Sequence, residues 1–218
     1  MLYLRTFRRL ALDLPGEPVD TSAHRRRLAL LAVVAAAEPA GISRDRVVAL
    51  LWPDRDLDKA RHSLAQLSYG IRKDWQAVPI VGAAELRLDP TVIAADIVAF
   101  REAAATADHD TVARLYQGEF LDGFVLAEAP EFERWQDEER RRLHRMAKRS
   151  FEALAARADG QNDARASVDA WRRVAELDPL DAMAGMGYME ALAAAGDRGE
   201  AVAHADRYAA LVRTELDA

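Results

Sequence analysis

The chain has 218 residues, half of them apolar and 30% charged, a globular composition with enough length for two cores. It contains no cysteine, which excludes disulfides, thiolate metal sites and cysteine nucleophiles and suits a reducing cytoplasm, the expected location. The net charge of −6 is unevenly spread: residues 1–100 hold 14 Lys and Arg against 12 Asp and Glu, and residues 101–218 hold 16 against 24, so acidity argues against a nucleic-acid partner only for the second half.

Leu2 to Leu14 alternates imperfectly and breaks at Pro15-Gly16, which predicts a short strand or hairpin before a turn. Thr21 or Ser22 can cap a first helix running to Ala37. That helix opens on Arg25-Arg26-Arg27, cations that oppose the helix dipole and leave two readings, contact with phosphate or a simple exposed start. The apolar run LALLAVVAAA behind them imitates a signal sequence, but its 10 residues are too few to span a bilayer, so neither secretion nor membrane contact is expected. Ser43 caps a second helix whose Val47, Leu50 and Leu51 face inward and which stops at Trp52-Pro53.

The third helix begins at Asp56 or Asp58 and runs to Trp75. On a 3.6-residue period Leu57, Ala60, Leu64, Leu67, Ile71 and Trp75 form its buried stripe. Lys59, His62, Gln66, Tyr69 and Lys73 form a row on the opposite face, each a hydrogen-bond donor and none a carboxylate. A solvated face is the plain reading of such a row. The sharper one is contact with bases: Gln pairs bidentately with adenine, Lys donates to guanine, and His or Tyr serves a base edge or a phosphate. Arg61 and Arg72 flank the row and are assigned to phosphate, where they set register without reading sequence. Gly70 lowers helix propensity by about 1 kcal/mol relative to Ala, which calls for a close approach or a frayed end.

VPIVGAAELRLDP then reads as a hairpin around Gly82-Ala83-Ala84 that would reach toward the neighbouring DNA backbone or minor groove, with Arg87 on its second strand as a candidate contact. Strands, three helices and a hairpin is the order of a winged helix-turn-helix, in which the third helix enters the major groove of double-stranded DNA. From Ile93 the pattern is helical nearly to the end. EALAA recurs at Glu152–Ala156 and Glu190–Ala194, close to the ~34-residue period of tetratricopeptide units, with Gly160, Pro179 and Gly196 as turns. The last helix places Val202, Ala205, Tyr208, Ala209, Val212 and Leu216 near one stripe. Tyr208, Val212 and Leu216 are its outer remainder, and a second subunit covering them would make a homodimer; folding back on their own repeat would make a monomer.

Leu115 to Leu143, LYQGEFLDGFVLAEAPEFERWQDEERRRL, closely resembles the bacterial transcriptional activator domain of SARP-type regulators, and the whole order of elements is similar to that family's. Trp52 with Pro53-Asp54 resembles the family's Trp at the end of the second helix, and Asp96 with Phe100 its Asp-x-x-x-Phe opening of the second domain. The recognition helix departs from the family's basic clusters, reading Ser68-Tyr69-Gly70-Ile71-Arg72-Lys73, and the wing tip carries Glu85. The resemblance implies a mainly α chain: an OmpR-like winged helix with short β elements in residues 1–96, then an all-α tetratricopeptide-like domain in 97–218. It implies a DNA-binding transcriptional regulator, an activator by family, that reads DNA through residues 58–75 and has RNA polymerase as a further partner. The alternative is a protein-interaction scaffold whose winged helix no longer binds DNA.

No enzyme is expected. The histidines at 24, 62, 109, 144 and 204 lack metal-ligand spacing, and no phosphate-binding glycine loop, nucleophile elbow or paired carboxylates stand out, so no cofactor is expected either. Phe132 and Trp135 look like an aromatic binding motif, but core packing is the better reading.

Overall fold

Leu2–Arg5 forms β1, burying Leu2 and Leu4 and turning Tyr3 and Arg5 outward. It pairs antiparallel with β2 (Ala11–Asp13) and parallel with β6 (Ile93–Ala95), giving the order β2-β1-β6. A computed structural model describes residues 1–14 and 24–215. The expected turn at Pro15-Gly16 and the caps Thr21 and Ser22 lie outside the described residues, and so does Leu216. The predicted all-helical reading from Ile93 is corrected by β6, whose three residues pair with a strand some 90 positions earlier.

The first helix, α1 (Arg25–Ala36), buries every residue from Leu28 to Ala36 and is therefore the centre of the N-terminal core. β3 (Ile42–Ser43) leads into α2 (Arg44–Leu51), whose first free amides are met by the Ser43 hydroxyl, which accepts from the Arg46 N–H. The helix stops at Trp52, as expected. The third helix, α3 (Leu57–Trp75), is capped by the Asp56 carboxylate, which accepts from the amides of Asp58 and Lys59, and it ends where Gln76 turns left-handed. β4 (Ile80–Val81) and β5 (Glu85–Leu88) form the expected hairpin, and β3 joins it in the order β3-β5-β4. These are the parts of a winged helix-turn-helix.

Among the described residues six further helices follow: α4 (Asp96–Ala105), α5 (His109–Leu115), α6 (Pro130–Gly160), α7 (Ala164–Leu177), α8 (Ala182–Ala194) and α9 (Arg198–Glu215). The repeated EALAA segments fall in the last half of α6 and at the end of α8, so α6 with α7 and α8 with α9 are the two copies. Gly160 closes α6 and does not lie in a turn, while Gly196 turns left-handed between α8 and α9.

The chain is grouped into two compact units, Met1–Ala105 with Arg114–Leu143, and Thr106–Ala113 with His144–Ala218. Residues 114–143 join the N-terminal unit for a visible reason. The Arg8 amide donates to the Glu119 carbonyl and the Leu121 amide to the Thr6 carbonyl, so residues 118–121 run alongside the chain after β1. The buried rings of Phe7, Phe100 and Tyr116 meet with centroids 5.0–5.8 Å apart. The buried Asp96 carboxylate accepts from the amides of Thr6, Phe7 and Ile97 and from the Thr6 hydroxyl, fastening the start of α4 to the same strand.

Candidate nucleic-acid interface

The face of α3 that packs inward is formed by Ala60, Leu64 and Ile71, all buried, with Leu67 and Trp75 half-buried at its edges. Leu57, the first residue of the helix, is 57% exposed, a correction to the expected stripe. Lys59, His62, Gln66, Tyr69 and Lys73 are all exposed on the far side, so the structure brings the predicted row together. Within it the His62 and Gln66 side chains are hydrogen bonded to each other at 2.9 Å, which presets the Gln66 amide. Tyr69 is 62% exposed. Lys59, Arg72 and Lys73 on α3, and Arg46 on α2, are exposed cations with no ion pair or side-chain hydrogen bond among the described residues.

Arg61 has a different setting. Its Nε and Nη2 donate to the two oxygens of Asp45 at 3.0 and 3.2 Å, a bidentate pair that ties α3 to α2, and Asp58 lies 3.8 Å away. On the wing, Arg87 donates to the Ala40 carbonyl at 3.1 Å. Arg44, which the sequence reading passed over, donates to the carbonyls of Ala83 and Gly82 and so holds the wing tip against the start of α2. A Ser-capped helix opening on Arg-Asp-Arg was the available signal for Arg44 and Arg46.

The Arg25–Arg27 triplet makes contacts within the molecule, with Arg25 exposed and Arg26 and Arg27 half-buried. Arg25 donates through Nε and Nη2 to the Val125 carbonyl and lies 4.7 Å from the Phe124 ring centroid. Arg26 reaches the Ala127 carbonyl at 3.3 Å. Arg27 pairs with Asp74 at 2.6 Å beside Trp75. Its guanidinium passes over Gly70, where a Cβ would come within 2.7 Å of Nη2, so Gly70 marks a close approach.

The segment Leu115 to Leu143 receives the contacts of Arg25 and Arg26. Its loop carbonyls are gripped by its own helix: Gln136 donates to Leu121 and Phe124, and Arg140 to Phe120 and Leu121. Phe132 is buried and Trp135 half-buried in a cluster with Phe120 and Phe124, which confirms core packing for both. The family model described as "Bacterial transcriptional activator domain" matches residues 93–218. The chain belongs to this family. The resemblance to SARP-type regulators thus stands on the whole domain. Mycobacterium tuberculosis EmbR, solved in complex with a low affinity phosphopeptide, shares the fold with a TM-score of 0.63 at 17% identity. The match covers 99% of this chain and 60% of EmbR. A search of curated proteins found no match.

In the rest of the activator domain, α9 buries no residue fully, and Val202, expected on its inward stripe, is 64% exposed. The half-buried side is Ala201, His204, Ala205, Tyr208, Leu211 and Val212. Tyr208 packs on Gly185 of α8 and its hydroxyl donates to the Leu180 carbonyl at 3.3 Å, so it folds back on its own repeat. Among the described residues no helix is long and apolar enough to cross a membrane, and no group of three His, Cys, Asp or Glu could hold a metal ion.

Proposed function

We propose that the protein is a cytoplasmic transcriptional activator that binds double-stranded DNA by laying α3 in the major groove. The observation that carries this reading is the row Lys59, His62, Gln66, Tyr69 and Lys73, exposed opposite the buried Ala60, Leu64 and Ile71. Gln66 and Lys73 read base edges, with His62 orienting Gln66; Lys59 and Tyr69 serve a base edge or a neighbouring phosphate. Arg72, joined by Arg46, takes phosphate, while Arg61 and Arg87 reach it only by leaving Asp45 and Ala40. Residues 97–218 contact RNA polymerase or another partner, and dimerisation through Val212 and Leu216 would place two copies of α3 on repeated half-sites.

Mobility shifts on duplexes from the promoters nearest its own gene, at two salt concentrations, test this. Affinity falls with salt by a log–log slope of about −0.9 per phosphate neutralised. Gln66→Ala and Lys73→Ala each relax discrimination between operator variants by about 1–3 kcal/mol. An absence of any shift at low salt refutes DNA binding and leaves the scaffold. Equal losses on specific and random duplexes refute base reading by these two residues.

A further inference from the structure

The second unit contains a cavity of about 430 Å³ between the last turn of α6, the first half of α7 and the last half of α8. That lies within the ~300–1,000 Å³ range of ligand pockets. One wall is the indole of Trp171, held in a single setting by two contacts. Its Nε1–H donates to Asp159 at 3.1 Å, and the ring lies flat on Gly187, where a Cβ would meet three ring atoms at 2.5–2.7 Å. Any larger residue at 187 would push the indole out of place. The Ser167 hydroxyl, donating to the other Asp159 oxygen, fixes the carboxylate that fixes the ring.

Three carboxylates line this cavity, Asp159, Asp163 and Glu190, and none of its described lining residues is Lys, Arg or His. Asp159 holds Trp171 and Asp163 caps α7 through the Ala166 amide at 3.0 Å, but Glu190 is exposed and has no partner among the described residues. The remaining lining is Asn162 and small residues, and the alanines at 158, 164, 191 and 194 leave the space open. An indole wall, an anionic rim and an open volume together select a flat cation. A guanidinium stacks on an aromatic ring and offers donors in a fork to more than one carboxylate, whereas an ammonium acts as a point charge.

We propose that this cavity receives an arginine side chain from a basic segment of a partner protein. The volume exceeds what one side chain fills, so the flanking backbone enters too, and the charge of the chain's second half attracts such a segment. DNA binding by the first unit plays no part in this proposal, and its test contains no DNA.

The experiment titrates the full chain into a fluorescein-labelled peptide, Gly-Ser-Arg-Gly-Ser-Gly, at low salt and follows anisotropy. Competitors are the same peptide with Gln or Lys for Arg, and free arginine amide. Binding is saturable, and the Arg peptide competes about ten-fold or more better than the Gln peptide or arginine amide, and several-fold better than the Lys peptide. Glu190→Gln, and Ala194→Arg, which supplies a competing guanidinium, each weaken it about ten-fold. Both positions are exposed, and circular dichroism melts establish that the variants fold. Glu215→Gln removes a carboxylate from the far end of α9 and leaves affinity unchanged. Equal binding of the Gln peptide, or an equal loss in Glu215→Gln, overturns the proposal in favour of diffuse attraction. Arginine amide binding as tightly as the peptide overturns the protein partner in favour of a small cation, and no saturable binding overturns it altogether.

Discussion

Asp45→Asn is the sharpest probe of the proposed contact between the helix-turn-helix and phosphate. In the folded chain Asp45 engages two N–H groups of Arg61 at 3.0 and 3.2 Å, so the one cation on α3 with a bidentate partner is neutralised before DNA arrives. Both side chains are more than half exposed, and such a pair contributes about 0–1 kcal/mol, so thermal stability changes little. The substitution removes a negative charge from the side proposed to face phosphate and frees a guanidinium. If Arg61 then neutralises one more phosphate, the salt slope steepens by about 0.9, which is a gain of about three- to four-fold in affinity between 200 and 50 mM salt. Fluorescence anisotropy over a salt series, with specific and random duplexes, measures it, and the gain is the same on both because phosphate carries no sequence. Arg61→Ala in the Asp45→Asn background erases the gain. The reasoning fails if the double variant keeps it, since the effect would then be loss of repulsion alone.

Three further outcomes follow from the packing and the charges. Leu64→Ala and Ile71→Ala each lower unfolding free energy by about 2–5 kcal/mol, because both side chains are buried; urea melts check this, and discrimination between DNA sequences in the folded fraction stays as it was. Arg25→Ala removes both donors to the Val125 carbonyl and lowers stability by about 1–2 kcal/mol, again read from urea melts, and an unchanged midpoint would show that this contact does not stabilise the fold. His204 faces Tyr188 across the α8–α9 seam, with Arg207 and Glu200 on its own helix, and burial followed by the Arg207 charge lowers its pKa while Glu200 opposes. A lowered folded pKa means the unfolded chain takes the proton first, so stability is intact above about 6.5 and falls as pH drops below it. Hydrogen exchange of α9 at pH 5.5 and 7.5 reads this, and His204→Gln flattens the difference.

What was legible in the sequence was set by local periodicity. The two faces of α3, the Ser43 cap, the halt at Trp52 and the hairpin with its turn at residues 82–84 all depend on residues within about a turn or a strand of one another. What escaped depends on partners far along the chain. β6 is three residues long and carries no period of its own; it is a strand because Leu2–Leu4 lies beside it. Arg61 looked free because Asp45 is 16 positions away, on another helix. Tyr208 looked like an uncovered remainder because the gap that admits it is Gly185, a residue with no side chain to signal contact.

The arginine triplet shows how such distant partners bear on function. Cations in the first turn of a helix oppose its dipole by about 0.3–1 kcal/mol each, so three in succession need partners that offset the penalty. Successive positions on a helix point about 100° apart, and the three side chains accordingly leave α1 in different directions. Arg25 and Arg26 bind carbonyls of the activator-domain loop, and Arg27 binds Asp74 at the end of α3. Gly70 leaves room for the Arg27 guanidinium, and Trp75 lies beside it. One helical turn therefore links the loop of the family motif to the last turn of the helix that faces solvent with its row of donors. Neighbouring carbonyls of the same loop, those of Phe120, Leu121 and Phe124, are held by Gln136 and Arg140, so a shift of the loop breaks contacts with α6 or α1. These contacts add to the backbone pairing of residues 118–121 with the chain after β1 in holding residues 114–143 to the winged helix, even though the family model assigns them to the activator domain.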